Sequence, residues 1–144
     1  MNSKYPQQPD APLALRILVV DDDRNTREVL LELLRFFGAE ACSAASVAEA
    51  RALLAHWRAD VLISDLDMPQ EDGYDLISEI RSHPLDGEAP MPAIALTGTT
   101  HTDDLARALM AGYDEVLRKP AELGDLLSTI RRVASADPRR RGER

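Results

Sequence analysis

The sequence predicts an α/β fold with a doubly wound, five-stranded parallel sheet and helices on both faces. Short apolar runs of strand length alternate along the chain with longer segments whose apolar residues recur at helical spacing. Several of the short runs end abruptly in a polar residue, which is typical of buried parallel strands whose carboxyl ends reach solvent. Right-handed crossovers between such strands place helices on both sides of one sheet.

The length and composition favour one globular domain. The chain has 144 residues, of which 44% are hydrophobic and 29% charged, and its formal net charge is −8. This charge disfavours binding to nucleic acid or to an anionic membrane, and no apolar stretch is long enough to span a membrane. The single cysteine, Cys42, excludes an internal disulfide, so we expect a cytoplasmic protein. We expect a flexible leader over residues 1–14, one domain over 15–135 and a basic, flexible tail over 136–144.

The first half of the chain shows clear element boundaries. Residues 17–20 form a strand that ends in the acidic run 21–23. The first helix ends at Gly38, a common C-terminal stop, and Ser46 with Glu49 forms a capping box at the start of the second helix. The apolar positions of the two helices are Val29, Leu30, Leu33, Leu34 and Phe37, and then Val47, Ala50, Leu53, Leu54 and Trp57.

The second half of the chain continues the alternation. Residues 61–64 form a strand that ends at Asp65, and residues 93–96 form a strand that runs into Thr97. A short strand covers about residues 114 to 117. Three helices complete the pattern: one through Leu76, Ile77 and Ile80, one over roughly residues 101 to 111, and one through Leu123, Leu126, Leu127 and Ile130.

Polar side chains follow the predicted strands at the edge where doubly wound sheets bind ligands. They are Asp21 and Asp22 after the first strand, Asp65 after the third, Thr97 after the fourth and Lys119 after the fifth. Carboxylates gathered at one edge repel one another unless a cation lies among them, and Mg²⁺ prefers such oxygen ligands. A carboxylate also serves as a nucleophile in phosphoryl transfer, which requires positioning and neutralisation of charge by groups such as an ammonium and a hydroxyl.

These polar residues belong to motifs that occur in a specific order. The motifs are Ile17-Leu18-Val19-Val20-Asp21-Asp22-Asp23, Ser64-Asp65-Leu66-Asp67-Met68-Pro69 with Asp72-Gly73, Ala95-Leu96-Thr97-Gly98, and Lys119-Pro120. Together they resemble the receiver domains of response regulators in two-component signalling, over about residues 16 to 133. The resemblance implies a flavodoxin-like (βα)5 receiver fold and a protein that is phosphorylated on Asp65.

The resemblance also assigns the metal ligands. It implies that Mg²⁺ is held by Asp22, Asp65 and the backbone carbonyl of Asp67, with Asp21 acting through a bound water. Asp23 is instead expected to cap the first helix, because aspartate favours helix N-termini.

Further roles are implied around the phosphoryl group. Thr97 and Lys119 would contact the phosphoryl oxygens and take part in switching, and the small residue Gly98 would leave room for the group. The Lys119–Pro120 peptide bond would be cis, an isomer that proline makes accessible.

Three positions depart from the pattern of the family. Val116 stands three residues before the lysine, where receivers usually have a tyrosine or phenylalanine whose rotamer reports activation. Ala121 stands where a phenylalanine commonly follows Lys-Pro, and Gly98 replaces the usual alanine. The chemistry of the site is therefore complete, whereas the aromatic switch lacks its usual residue. This combination resembles receivers that are attached to, or work beside, hybrid histidine kinases.

The resemblance implies a phospho-acceptor in a two-component or His-Asp phosphorelay pathway. Such a protein is not an enzyme in the ordinary sense, although it hydrolyses its own acyl phosphate slowly. The expected partners are a histidine kinase or a histidine phosphotransfer protein, and the expected state is a monomer or a phosphorylation-dependent homodimer. We expect no DNA-binding output domain, so the output is a conformational change or onward phosphotransfer.

Two other functions fit parts of the pattern. Asp65-Leu66-Asp67 also resembles the Asp-x-Asp motif of haloacid-dehalogenase-type phosphohydrolases. That motif normally ends the first strand and is followed by the acidic metal ligands, whereas here it ends the third strand and the acidic metal ligands precede it. Turnover of small phosphate esters distinguishes this function. The other is a phosphorylation-independent interaction domain with a silent acidic pocket, which a Mg²⁺-independent partner complex would support.

Overall fold

A computed structural model describes residues 12–82, 90–98 and 101–137, in which five strands and five helices alternate. The strands are β1 (Arg16–Val20), β2 (Glu40–Ala44), β3 (Val61–Asp65), β4 (Ala93–Thr97) and β5 (Glu115–Arg118). The helices are α1 (Arg24–Phe36), α2 (Val47–Leu54), α3 (Gly73–Ser82), α4 (Thr102–Ala111) and α5 (Leu123–Ser135). The predicted α/β class is confirmed.

The strands form one sheet in the order β2-β1-β3-β4-β5. All neighbouring strands in it are parallel. In the sheet, β1 has β2 on one side and β3 on the other. The chain therefore crosses over β1 after β2, and the strand order reverses between β1 and β3. In doubly wound sheets this reversal opens a crevice at the carboxyl ends of the two strands.

The core lies in two layers because alternate strand residues face opposite sides of the sheet. On one side, Ile17 packs in a cluster with Leu34 of α1 and with buried residues of α5. On the other side, Leu18 packs in a cluster with Ile77 of α3 and Ala108 of α4, together with residues of α2. Helices therefore cover both faces, and the carboxyl edge of the sheet is the place for polar side chains.

The predicted helix signals are confirmed. The Asp23 carboxylate accepts a hydrogen bond of 3.0 Å from a first-turn amide and caps α1. Ser46 caps α2 by accepting from the Glu49 amide at 3.1 Å, and the Glu49 carboxylate accepts from the amide that precedes Ser46. Gly38, with φ of +93°, follows the C-cap of α1 in a conformation that glycine adopts without a steric cost.

The predicted extent of α2 is wrong. The helix ends before Trp57, because the amides of His56 and Trp57 both donate to the Leu53 carbonyl and close the last turn. The guanidinium of Arg16 then lies over the Trp57 ring, 4.6 Å from its centroid. The indole packs against the same apolar cluster as Leu53 and Leu54, from beyond the end of the helix.

One position of the predicted stripe on α1 is also wrong. Val29 is 55% exposed, whereas Leu30 and Leu34 are buried in the cluster shared with α5. The buried face of α1 is therefore narrower than the apolar spacing suggests.

Buried residues also lie just outside the domain predicted over residues 15–135. Leu13 is buried, and its amide donates to the Phe37 carbonyl at 2.8 Å. Asp137 is buried after the end of α5, within the predicted tail. The rest of the predicted leader and tail, residues 1–11 and 138–144, lies outside the described residues. Across the described ranges, no helix has both the length and the apolar character needed to cross a membrane.

Candidate functional site

Four strands bring polar side chains to one edge of the sheet. Asp21 directly follows β1, Asp65 ends β3, Thr97 ends β4 and Lys119 directly follows β5. Because β1, β3, β4 and β5 are successive neighbours in a parallel sheet, their carboxyl ends lie side by side. The structure therefore brings together the residues that the sequence places at strand ends.

Three carboxylates form a cluster at this edge. Asp21, Asp22 and Asp65 each offer a carboxylate oxygen, and these oxygens lie within 4.8 Å of one another. Asp21 and Asp65 are buried, whereas Asp22 is exposed. Negative charges this close, two of them withdrawn from solvent, are costly unless positive charge balances them.

Lys119 supplies part of that positive charge. Its Nζ atom lies 3.0 Å from Oδ2 of Asp21 and 3.3 Å from Oδ2 of Asp65. The other oxygen of Asp21, Oδ1, accepts from the Asp23 amide at 2.9 Å. One ammonium thus bridges the carboxylates that follow β1 and end β3.

The protonation of Asp65 is set mainly by its burial. Burial raises the pKa of Asp65 to about 6, and the negative charge of Asp21 acts in the same direction. The Asp67 amide and the Lys119 ammonium lower the pKa, but they do not offset burial. Asp65 is therefore ionised at neutral pH and becomes protonated in mild acid.

Lys119 keeps its charge in this environment. Partial burial lowers the pKa of Lys119, but the hydrogen bond to Asp21 and the charge of Asp65 outweigh it, and the net pKa is raised. The site therefore holds a permanent cation beside an acid whose charge depends on pH.

The cluster fits Mg²⁺ by its donor chemistry. All three side chains supply carboxylate oxygens, which are the hard ligands that this ion prefers. Lys119 offers one positive charge against these carboxylates, so the cluster keeps an excess of negative charge. A divalent cation would balance that excess.

The loop after β3 reaches back to the site. The Asp67 amide donates to Oδ1 of Asp65 at 3.2 Å, while the Asp67 side chain is exposed. The backbone of Asp67 thus contacts the Asp65 carboxylate directly. The ligand role of its carbonyl stays a prediction.

The carboxyl end of β4 forms the next wall of the site. Thr97 is buried, and its carbonyl accepts from the Lys119 amide at 2.8 Å. A Cβ atom added at Gly98 would meet no atom within 4 Å, so open space adjoins the end of the strand. The Lys119–Pro120 peptide bond is cis, the isomer expected from the resemblance.

Two residues beside the site were not predicted from the sequence. Arg27 donates from its guanidinium to the Asp21 carbonyl at 2.9 Å. Arg27 lies one helical turn after the cap at Asp23, and this spacing is a weak signal from which its contact could have been predicted. Tyr113 is buried and donates from its hydroxyl to the Gly73 carbonyl at 2.6 Å, a contact for which the sequence offers no signal.

Comparison with known protein families agrees with this geometry. The family model described as the response regulator receiver domain matches residues 17–131. The chain belongs to this family. Receiver domains are components of two-component signalling, and in general they interact with histidine kinases or phosphotransfer proteins rather than act as classical enzymes.

The receiver domain is similar to curated proteins of different lengths. It is 38% identical over 122 residues to an uncharacterised 14.6 kDa protein of Leptolyngbya boryana, covering 85% of this chain and 92% of that protein. It is 37% identical over 119 residues to the response regulator MprA of Mycobacterium bovis, covering 83% of this chain and 50% of that protein. The match to MprA therefore spans about half the length of that relative.

Solved structures of receivers share the fold. A putative response regulator from Chloroflexus aurantiacus has a TM-score of 0.78 at 32% identity, covering 85% of this chain and 98% of that chain. The signal receiver domain of a histidine kinase from Syntrophus aciditrophicus has a TM-score of 0.76 at 32% identity, covering 85% and 92%. Receivers similar to this one therefore occur both in response regulators and in histidine kinases.

Proposed function

We propose that this receiver accepts a phosphoryl group on Asp65 in a two-component or His-Asp phosphorelay pathway, with Mg²⁺ as cofactor. The observation that carries the proposal is the position of Lys119, whose Nζ atom lies 3.3 Å from Oδ2 of Asp65. A phosphoryl group joined to Asp65 would therefore lie beside a fixed positive charge. Such a charge stabilises the negative charge on the phosphoryl oxygens.

Asp65 is suited to act as the nucleophile. It is ionised at neutral pH because its pKa is about 6, and its Oδ1 atom is held by the Asp67 amide at 3.2 Å. A carboxylate oxygen attacks phosphorus and forms an acyl phosphate, while the bond from phosphorus to the donor breaks. With a phosphohistidine donor, the electron pair of that bond stays on the imidazole nitrogen. Lys119 and Thr97 would then contact the transferred oxygens.

The metal ligands in this proposal are Asp22, Asp65 and the Asp67 carbonyl, with Asp21 acting through a water. When bound, Mg²⁺ supplies positive charge that neutralises the carboxylates and the charge on the phosphoryl oxygens. The buried position of Asp21 and its contact with Lys119 support an indirect role for this residue.

Signalling in this proposal follows from added charge. Phosphorylation places a dianion beside Lys119 and Thr97 and shifts an equilibrium between two shapes of the domain. We expect the largest change on the face formed by α4, β5 and α5. The phosphodonor is a histidine kinase or a histidine phosphotransfer protein in the cytoplasm, where a lone thiol such as Cys42 stays reduced.

The test is the intact mass of the protein after incubation with acetyl phosphate and Mg²⁺. The wild type should gain one phosphoryl group, about 80 Da, and should gain nothing when EDTA is present. Asp65→Asn is the matched control because it keeps the shape of the side chain and removes the nucleophile.

The possible outcomes of the mass measurement lead to different conclusions. A gain confined to the wild type with Mg²⁺ supports the phospho-acceptor. A gain in Asp65→Asn at the wild-type rate would show that another residue is modified. No gain under any condition, together with a partner complex that ignores Mg²⁺, would favour a phosphorylation-independent interaction domain.

A further inference from the structure

A buried tyrosine connects three segments around the phospho-acceptor strand. Tyr113 lies between α4 and β5, is 3% exposed, and donates from its hydroxyl to the Gly73 carbonyl at 2.6 Å. The Ser64 hydroxyl is close enough to the Tyr113 phenol to lower its pKa, and it donates to the Asp65 carbonyl at 3.0 Å. Ser64 is fully buried and directly precedes Asp65 in β3. The phenol therefore joins the α4–β5 turn to the first residue of α3, next to the end of β3.

The contact lies at the base of the β3–α3 loop, residues 66–72, which carries Asp67. The two ends of this loop touch each other, since the Gly73 amide donates to the Leu66 carbonyl at 3.2 Å. A Cβ atom at Gly73 would lie 2.5 Å from the Asp65 carbonyl oxygen and 3.0 Å from the Tyr113 hydroxyl oxygen. Glycine is required there by this close approach, and the phenol is in direct contact with the closure point.

The phenol is a constant donor in this position. Burial raises the pKa of Tyr113, and the nearby Ser64 hydroxyl opposes this shift only in part. The hydroxyl therefore keeps its proton at neutral pH and donates it to the Gly73 carbonyl.

We propose that Tyr113 is a positioning residue, whose hydroxyl holds the β3–α3 loop in the shape that presents the Asp67 backbone to the metal site. The inference rests on the proposed function in one respect, because it takes the Asp67 carbonyl as a ligand of Mg²⁺. Tyr113 does not touch the reacting atoms; it acts through Gly73, at one end of the loop.

The hydroxyl is the group that distinguishes this role from simple packing. A phenylalanine would fill the same volume in the cluster with Ile77 and Ala108, so apolar packing alone does not need the oxygen. The positioning role needs the hydroxyl oxygen, whereas apolar packing does not. Tyr113→Phe therefore removes only the group that the positioning role needs and creates no cavity.

The test compares Tyr113→Phe with Tyr74→Phe. Tyr74 is the matched control because its hydroxyl also donates to a backbone carbonyl, that of Asp104 in α4, at 3.3 Å. Mg²⁺ binding to the unphosphorylated protein is measured by calorimetry, and amide hydrogen exchange is measured in the metal-free protein. For Tyr113→Phe we expect Mg²⁺ binding about threefold to tenfold weaker and faster exchange confined to residues 66–73. Tyr74→Phe should match the wild type in both measurements.

The outcomes separate this inference from the proposed function. Wild-type Mg²⁺ affinity in Tyr113→Phe would overturn the positioning role, as would faster exchange spread evenly over the whole sheet. A wild type that binds Mg²⁺ but accepts no phosphoryl group would overturn the proposed function alone. A wild type that binds no Mg²⁺ would also overturn the proposed function, and the exchange data would still decide whether Tyr113 holds the loop.

Discussion

The Nζ atom of Lys119 lies 3.3 Å from Oδ2 of Asp65, a carboxylate whose side chain is 6% exposed. Asp65 ends β3 and Lys119 follows β5, and β4 lies between these two strands in the sheet. The lysine side chain therefore reaches past the end of β4. This contact joins a permanent cation to an acid with a raised pKa. The stability, metal affinity and reactivity of the domain should all depend on it.

Asp65→Asn is expected to stabilise the metal-free protein at neutral pH by about 1 to 3 kcal/mol. The folded-state pKa of about 6 lies above the ordinary value of 3.8. Protonation of Asp65 therefore contributes stability to the folded protein. This contribution is complete below the ordinary pKa of 3.8 and is lost as the pH rises through the folded-state pKa of about 6. Urea denaturation in EDTA, at neutral pH and at about pH 4, measures the difference, and the gain should be much smaller in acid. An equal gain at both pH values would contradict the expectation.

Mg²⁺ affinity is expected to fall about tenfold between neutral pH and about pH 5, because a ligand must be deprotonated to bind metal. Asp65 has a pKa of about 6, so most of it is protonated in this acid range. Calorimetric titration at the two pH values tests this. Asp65→Asn is the control, and it should bind weakly with a flatter pH dependence; unchanged wild-type affinity in acid would rule out Asp65 as a ligand.

Lys119→Ala is expected to slow phosphorylation by acetyl phosphate about tenfold to a hundredfold while leaving it detectable. The variant removes the cation nearest Asp65 but keeps the nucleophile. It should also lose the change in hydrogen exchange of α4 that accompanies phosphorylation in the wild type. Arg118→Ala, at the exposed neighbouring cation, is the control and should behave like the wild type. Phosphorylation of Lys119→Ala with a wild-type exchange response would exclude a switching role for the lysine.

Leu13→Ala is expected to destabilise the domain by about 2 to 4 kcal/mol, because a buried leucine leaves a cavity. Leu13 is 6% exposed, whereas Leu109, the matched control in α4, is 50% exposed. Leu109→Ala should cost less than about 1 kcal/mol. Equal free energies of unfolding for the two variants would show that Leu13 contributes no more to stability than an exposed leucine.

Much of the site was predictable because parallel strands share one carboxyl edge. Asp21, Asp65 and Thr97 each stand where an apolar run stops, and the structure places all three at that edge. The caps at Asp23 and Ser46 were equally predictable, since a cap depends on atoms only a few residues away.

Other features depended on residues that are distant in the sequence. The apolar spacing of Val29 did not reveal its exposure, because α1 packs on β1 and β2 through residues such as Leu30 and Leu34 and leaves that position uncovered. Trp57 followed the helical spacing of α2, yet its ring lies against Arg16 of β1. The raised pKa of Asp65 likewise needs its burial and its distance from Lys119, neither of which periodicity encodes.

The sequence by itself located four of the five strands and all five helices along the chain, the caps of the first two helices, and the set of polar residues at the strand ends. These features arise from local periodicity and short-range hydrogen bonds, which a single chain segment already contains. Only the tertiary structure decided which apolar side chains are covered, how the Lys119 ammonium bridges two carboxylates, and that the Tyr113 hydroxyl reaches Gly73. Burial and electrostatic coupling depend on which segments become neighbours in space, and that is settled by packing rather than by sequence spacing.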